Sequence, residues 1–410
     1  MHRALFLLGV WGAWACSPAR PQAGDTVSQA VRPGIEVLLT DSVRLVRDRR
    51  VGLVTNQSGV DAEGTSDVVR LRAAGVRLVA LFSPEHGFRG AADPGAAIAS
   101  SVDSATGLPI YSLYGRTSAP TPEMLAGIDL MLVDLQDVGA RYYTWLFTTI
   151  EVMKAAGRNN VDVIVLDRPN PIGGLVQGNV LQPGFVTTVG QLEIPMRHGM
   201  TLGELARLAR SDLGLTVNLG VVPAGGWRRS IPFDRTGLPF IPPSPNLRTL
   251  ESLYHYPGTC LFEGTNLSVG RGSDAPFQQI GAPWLDTTAV LTRIRGAKLQ
   301  GVEYQAISFT PIKPGDAKYA DTPVQGLRLT VTDRETYDPT ATAVHLLSAI
   351  QAVHRERLRW IPAHFDRLAG TASLRAAIGA GTAPAEIVRG WREERERFLQ
   401  RSRGARIYQD

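Results

Sequence analysis

From residue 34 onward the chain alternates short runs of wholly apolar positions with segments whose apolar residues recur at helical spacing. Val37, Leu38, Val43, Leu45 and Val46 predict a helix over 35–46, and residues 51–55 then form a wholly buried strand. The same reading places strands at 77–82, 108–113, 130–135 and 161–166, with helices at 65–74, 122–126 and 144–156. Strands that are apolar at every position need helices on both faces, and their alternation with helices means a parallel sheet. The fold class is therefore α/β. Beyond it the pattern loosens: a helix at 201–210, a strand at 215–222, a proline-rich crossing at 239–256, and an irregular stretch at 261–284 dense in Gly, Asn, Ser and Asp. Residues 302–310 and 327–332 alternate like antiparallel strands, and helices are predicted at 341–353, 372–378 and 385–401. The expected division is a parallel-sheet domain over 34–194 and a C-terminal α+β domain over 195–410.

Polar, glycine-bearing segments begin where the strands end, at 55–60, 83–90, 134–143 and 167–172. In a parallel sheet all carboxyl ends lie on one edge, so these four loops are neighbours there. That edge is where such sheets bind ligands.

The amino terminus carries a different signal. Arg3 and the apolar run from Ala4 to Trp14 have the length of an export signal and are too short to span a bilayer. Cys16 follows Ala13-Trp14-Ala15, as in a lipoprotein cleavage box, with cleavage after Ala15 the rival; residues 17–33 are a Ser-, Ala-, Pro- and Gly-rich tether. An exported location in the periplasm or cell envelope is expected, with membrane attachment only through a lipid on Cys16. With two cysteines, no disulfide framework is expected. The 43 basic and 38 acidic side chains are spread along the chain, which argues against a nucleic-acid partner.

No dinucleotide fingerprint, phosphate loop, Gly-x-Ser-x-Gly elbow or His-Glu-x-x-His pair occurs, and the histidines lack metal-ligand spacing. Neither a cofactor nor a metal is expected. What the loops supply is carboxylates beside arginines and aromatics. Glu85, Asp134, Asp137, Asp167 and Glu263 could provide the acid and second carboxylate of glycosidic cleavage. An Asp closing a strand is also an ordinary helix cap, and His86 is first an orienting partner for Glu85. Arg89, Arg141, Arg168, Arg197 and Arg271 suit an anionic substrate, or salt bridges to nearby aspartates. Tyr142, Tyr143, Trp145, Trp227 and Trp284 could stack on sugars, although Trp145 begins a helix and reads as core.

The strings GLVTNQSGVD, LFSPEHGFRG, DLQDVGARYYT, VLDRPNPIGG, RHGMTLGELA, PPSPNL, YPGTCLFEGTNLSVGRGSDAPFQQIGAPW and FDRLAGT together resemble the exo-β-N-acetylmuramidases of bacterial cell-wall recycling, from about Gly34 to the C-terminus. The resemblance implies a Rossmann-like domain joined to an auxiliary domain, with the active site in the cleft between them. It implies removal of non-reducing-end N-acetylmuramic acid from a peptidoglycan-derived glycan or muropeptide. Glu85 becomes the general acid, with His86 beside it, and Asp137, Asp167 and Glu263 compete for the second carboxylate. Arg89, Arg168 or Arg271 would hold the lactyl carboxylate. Asn56, Arg141, Tyr142, Tyr143, Asn170, Arg197, His198 and Asn266, all within or adjoining the matching strings, complete the expected substrate-binding set. A non-catalytic muropeptide-binding lipoprotein, or a hydrolase of another bond on the same glycan, would use the same cleft.

Overall fold

The computed structural model describes residues 30–93 and 95–410; the export signal, Cys16 and most of the tether lie outside them. Helix α1 (Gly34–Asp41) leads into β1 (Arg50–Thr55), α2 (Asp67–Ala73), β2 (Arg77–Ser83), β3 (Ser101–Val102) and β4 (Pro109–Ser112). There follow α3 (Pro122–Leu125), β5 (Leu130–Asp134), α4 (Trp145–Arg158), β6 (Asp162–Leu166), the hairpin β7 (Gln177–Val180) and β8 (Pro195–Arg197), α5 (Leu202–Asp212) and β9 (Leu219–Val222). The main sheet has the order β3-β4-β2-β1-β5-β6-β9, parallel except for the edge strand β3. The four polar loops leave the consecutive strands β2, β1, β5 and β6, so they do share one edge.

The apolar runs divide between two layers with the period of the pleat. Val51 and Leu53 of β1, with Leu130 and Leu132 of β5, join Ile35, Leu38 and Leu71 under α1 and α2. Val54, Met131 and Val133 face the other way, toward Ile150 and Met153 of α4 and Leu205 of α5. Every one of these strand residues is fully buried. Local signals close the helices: Ser66 caps α2 by accepting from the Val69 amide, and Thr201 and Glu204 form a capping box on α5.

The expected boundary at 195 is displaced. β9 hydrogen-bonds to β6, so the parallel sheet continues through Val222. The second unit gathers around α6 (Leu250–Thr259), which occupies the end of the expected proline-rich crossing. It has an antiparallel sheet of β10 (Gln279–Ala282), β12 (Val324–Val331) and β11 (Val302–Phe309), followed in space by α7 (Thr287–Arg295) and α8 (Pro339–Val353). The chain ends with α9 (Pro362–Ala369), α10 (Ser373–Gly379), α11 (Pro384–Gly390) and α12 (Arg392–Ser402). The single helix expected at 385–401 is thus two. Among the described residues no helix is long and apolar enough to cross a membrane.

The larger apolar layer does not stop at the domain border: Leu253, Leu261 and Phe262 pack in the same cluster as Trp145 and Leu146. Gly258 permits the closest approach within the second unit, because a Cβ there would sit 2.0 Å from the Pro339 carbonyl oxygen. The cleft between the units is therefore held by a continuous core.

Candidate active site

A concavity of about 950 Å³ beside α5 and the C-terminal residues has no carboxylate on its walls. Carboxylates meet in a cavity of about 170 Å³ between the two units, whose walls include Glu85, His86, Tyr143, Ser244, Glu263 and Arg271. Glu85 comes from the loop after β2, Tyr143 from the loop after β5, and Glu263 and Arg271 from the glycine-rich stretch of the second unit.

Glu85 is fixed through both oxygens. Oε1 accepts from the Gly95 amide at 3.0 Å and Oε2 from the Thr144 hydroxyl at 2.9 Å. Thr144 stands at the N-cap of α4, yet its side chain caps no helix amide, because the hydroxyl turns to Glu85 instead. Burial and the Glu85 carboxylate push the Tyr114 phenol up to about 12, so Tyr114 stays protonated beside that carboxylate. His86 holds a left-handed backbone, φ 68°, and its Nδ1 is bonded to the Ala92 carbonyl at 2.8 Å, which curls the loop around Glu85.

Across the cavity, Arg271 places Nε and Nη2 on Glu263 Oε1, each at 2.7 Å. The second oxygen, Oε2, has only the Cys260 thiol, at 3.7 Å, among the described residues. Burial alone would lower the Arg271 guanidinium, but the Glu263 carboxylate lifts it above its ordinary value. Its guanidinium lies over the Phe277 ring at 5.0 Å. Phe277 is itself left-handed, φ 63°, and fully buried. For an aromatic residue that conformation is strained, and such strain collects where surrounding structure fixes a functional geometry. His86 and Phe277, one from each unit, both line this cavity.

Several expected site residues have other work. Asp167 is fully buried and accepts from Thr201 Oγ1, the Gly203 amide and the Tyr408 hydroxyl, so it staples α5 and the C-terminus to the sheet and is no second carboxylate. Asp137 does not line the cavity; its Oδ2 accepts from the Gly139 amide at 2.7 Å and lies 3.3 Å from His198 Nε2. The Met200 amide donates to His198 Nδ1, so the ring's proton sits on Nε2, facing Asp137. Arg168 is buried against Asp134 and the Val60 carbonyl, and Arg197 against Gln177 and the Ile172 carbonyl, which leaves neither for a substrate carboxylate. Arg141 is an interdomain clamp, donating to the carbonyls of Asn179, Ile194, Leu368 and Ala369.

The remaining assignments resolve in the same way. Asn170 bridges the Met200 carbonyl and Ile172 amide, Asn56 accepts from Ser58, and Asn266 ties the Arg357 carbonyl to the Arg359 amide. Each completes a loop, and none is among the residues lining this cavity. Tyr142 contributes to the cavity wall while its hydroxyl is spent on the Pro257 carbonyl at 2.6 Å. Arg89 is exposed, without a hydrogen-bonded or ion-pair partner among the described residues. Trp145 is core, as expected, and Trp227 packs on Tyr408 away from the cavity. Sequence reasoning missed Thr144, Tyr114, Ser244, Cys260 and His364. Thr144, Ser244 and Cys260 lie inside matching strings, which was the one signal that could have found them; Tyr114 and His364 lie outside those strings. The described residues bring one trio of metal-ligand type together, Glu36, Asp61 and Glu63, none of which lines the cavity.

Comparison with known proteins places this geometry. The chain is 38% identical to the peptidoglycan beta-N-acetylmuramidase NamZ of Bacillus subtilis (strain 168), over 98% of each chain. Its fold matches two crystal structures of DUF1343 family proteins from Bacteroides fragilis NCTC 9343. One has a TM-score of 0.86 at 33% identity, covering 93% of this chain and 99% of that one; the other has 0.74 at 30%, covering 93% and 100%. Residues 51–251 match the N-terminal and residues 254–408 the C-terminal domain described for exo-beta-N-acetylmuramidase NamZ, and the chain belongs to that family.

Proposed function

We infer that the protein is an exo-acting β-N-acetylmuramidase, a glycoside hydrolase that releases N-acetylmuramic acid from the non-reducing end of peptidoglycan fragments. The observation that carries this is the placement of Glu85 and Glu263, from different units, on one cavity of about 170 Å³. That volume suits a single sugar residue, being below the roughly 300–1,000 Å³ of sites for larger ligands.

The Gly95 amide can only donate, so Oε1 of Glu85 is fixed as an acceptor and Oε2 is the oxygen able to carry a proton. The Thr144 hydroxyl can turn to accept from it. Glu85 passes that proton to the glycosidic oxygen as the bond to the anomeric carbon breaks, and Oε2 of Glu263, held only by the weak Cys260 thiol contact among the described residues, offsets the positive charge that develops there. Water then adds to the anomeric carbon, and the proton it sheds returns to Glu85. Arg271 keeps Nη1 without a protein partner among the described residues and offers it to the lactyl carboxylate.

The test is product analysis with N-acetylmuramic acid β-linked to N-acetylglucosamine. Wild-type protein should liberate the free amino sugar, and Glu85→Gln should lower kcat by on the order of 10³-fold or more. A Glu85→Gln protein of near-normal rate would remove Glu85 from the reaction, while loss of acetyl or peptide in place of a whole sugar would identify another bond. We propose also that the enzyme acts in the periplasm or cell envelope, exported by its first sixteen residues and anchored through Cys16. The mass of the mature protein decides between acylation there and cleavage after Ala15.

A further inference from the structure

Tyr143 is only 7% exposed, and its ring is wedged by two neighbours: Trp145 at a centroid distance of 4.9 Å and Tyr256 at 6.2 Å, both edge to face. A ring packed this way cannot serve as the stacking platform expected from sequence. Its hydroxyl is the informative part. Tyr142, one residue earlier, spends its hydroxyl on a backbone carbonyl, whereas the buried Tyr143 hydroxyl completes no hydrogen bond among the described residues and has only Ser244 as a nearby neutral side chain. Leaving a buried hydroxyl unpaired costs stability, and an apolar ring of the same shape would avoid that cost. The residue lines the cavity that holds Glu85, Glu263 and Ser244.

We propose that the Tyr143 hydroxyl receives the 2-acetamido group of the terminal muramyl residue, donating a hydrogen bond to its carbonyl oxygen. This rests on the muramidase reading above. Burial, with the carboxylates of Asp137 and Glu85 nearby, holds the phenol well above its ordinary value, so it enters as a donor and not as a base or nucleophile. Glu85 must stand at the oxygen on the anomeric carbon, and Tyr143 is its neighbour on the same wall. The substituent next to that carbon is the 2-acetamido group, whose carbonyl is the strongest neutral acceptor there. The lactyl group lies one carbon further on, on the side left to Arg271.

The experiment uses full-length wild-type and Tyr143→Phe proteins with aryl β-glycosides of muramic acid bearing N-acetyl, N-fluoroacetyl and N-difluoroacetyl groups, which weaken the carbonyl as an acceptor stepwise. Tyr143→Phe should lower kcat/KM on the N-acetyl substrate by on the order of 10- to 100-fold. The wild-type rate should fall along the fluorinated series, and the fall should be shallower in Tyr143→Phe. Its Tm should be unchanged or higher, because the lost hydroxyl had no partner. An undiminished rate, equal slopes in the two proteins, or a lower Tm that accounts for the lost activity would each overturn the assignment. No turnover by the wild type would sink the muramidase reading first, which sets that failure apart.

Discussion

Replacing Asp167 by Asn should change how stability depends on pH, by an amount the structure sets. Burial raises this carboxyl to about 7, against the donors Thr201, Gly203 and Tyr408, which favour its charge, and with Glu204 nearby adding to the rise. A folded-state value above the unfolded one means the native protein holds the proton more tightly. The associated stability is present in full below the unfolded value near 4 and is lost as pH rises through about 7. In that window the wild type should lose about 1.4 kcal/mol per pH unit from this group, or about 4 kcal/mol in all. Asn cannot titrate, so the variant lacks this loss. The assay is denaturant unfolding of both proteins from about pH 4 to pH 8. Buried Asp67, also raised, is common to both and cancels in the difference. The variant should gain on the wild type by about 4 kcal/mol across the range, while its kcat/KM stays within a few-fold, because Asp167 does not line the cavity. Parallel curves would show that Asp167 is ionised in the native state and refute the reasoning.

Two other perturbations follow from packing. Arg141→Met removes four buried hydrogen bonds at the domain border, although the Leu181 amide still serves the Ile194 carbonyl and Asn179 Nδ2 the Ala369 carbonyl, and should cost roughly 4 kcal/mol, read from urea unfolding. KM of whatever remains folded should be unaltered; a raised KM would return Arg141 to substrate binding. Gly258→Ala forces a methyl against the Pro339 carbonyl where α6 meets α8, so unfolding by denaturant should show a loss of about 2 kcal/mol or more. A stability gain, as helix propensity alone would suggest, would mean that α8 can shift.

The division between what the chain spells out and what folding adds is visible residue by residue. Strands that are apolar along their length, from Val51 to Val54 and from Leu130 to Val133, state that they are covered on both sides, and that statement fixes a parallel sheet and its loop-bearing edge. Glu85 was legible because its loop resembles a known family, and because a glutamate between Pro84 and Gly87 has no helix to cap. The arginines were not. Arg141 and Arg271 read alike in sequence, each in a glycine-bearing loop, yet one clamps four carbonyls and the other pairs with Glu263 in the cavity. Asp167 and Glu263 were equal candidates until burial separated them. Which long-range partners a charged or polar side chain meets depends on where distant segments pack, as Glu204 and Tyr408 do around residues far from them in the chain. Periodicity records only which way a side chain faces. The sequence by itself therefore determined the layers and the edge and singled out Glu85, whereas desolvation and long-range contacts decided which carboxylates and guanidinium groups line the cavity.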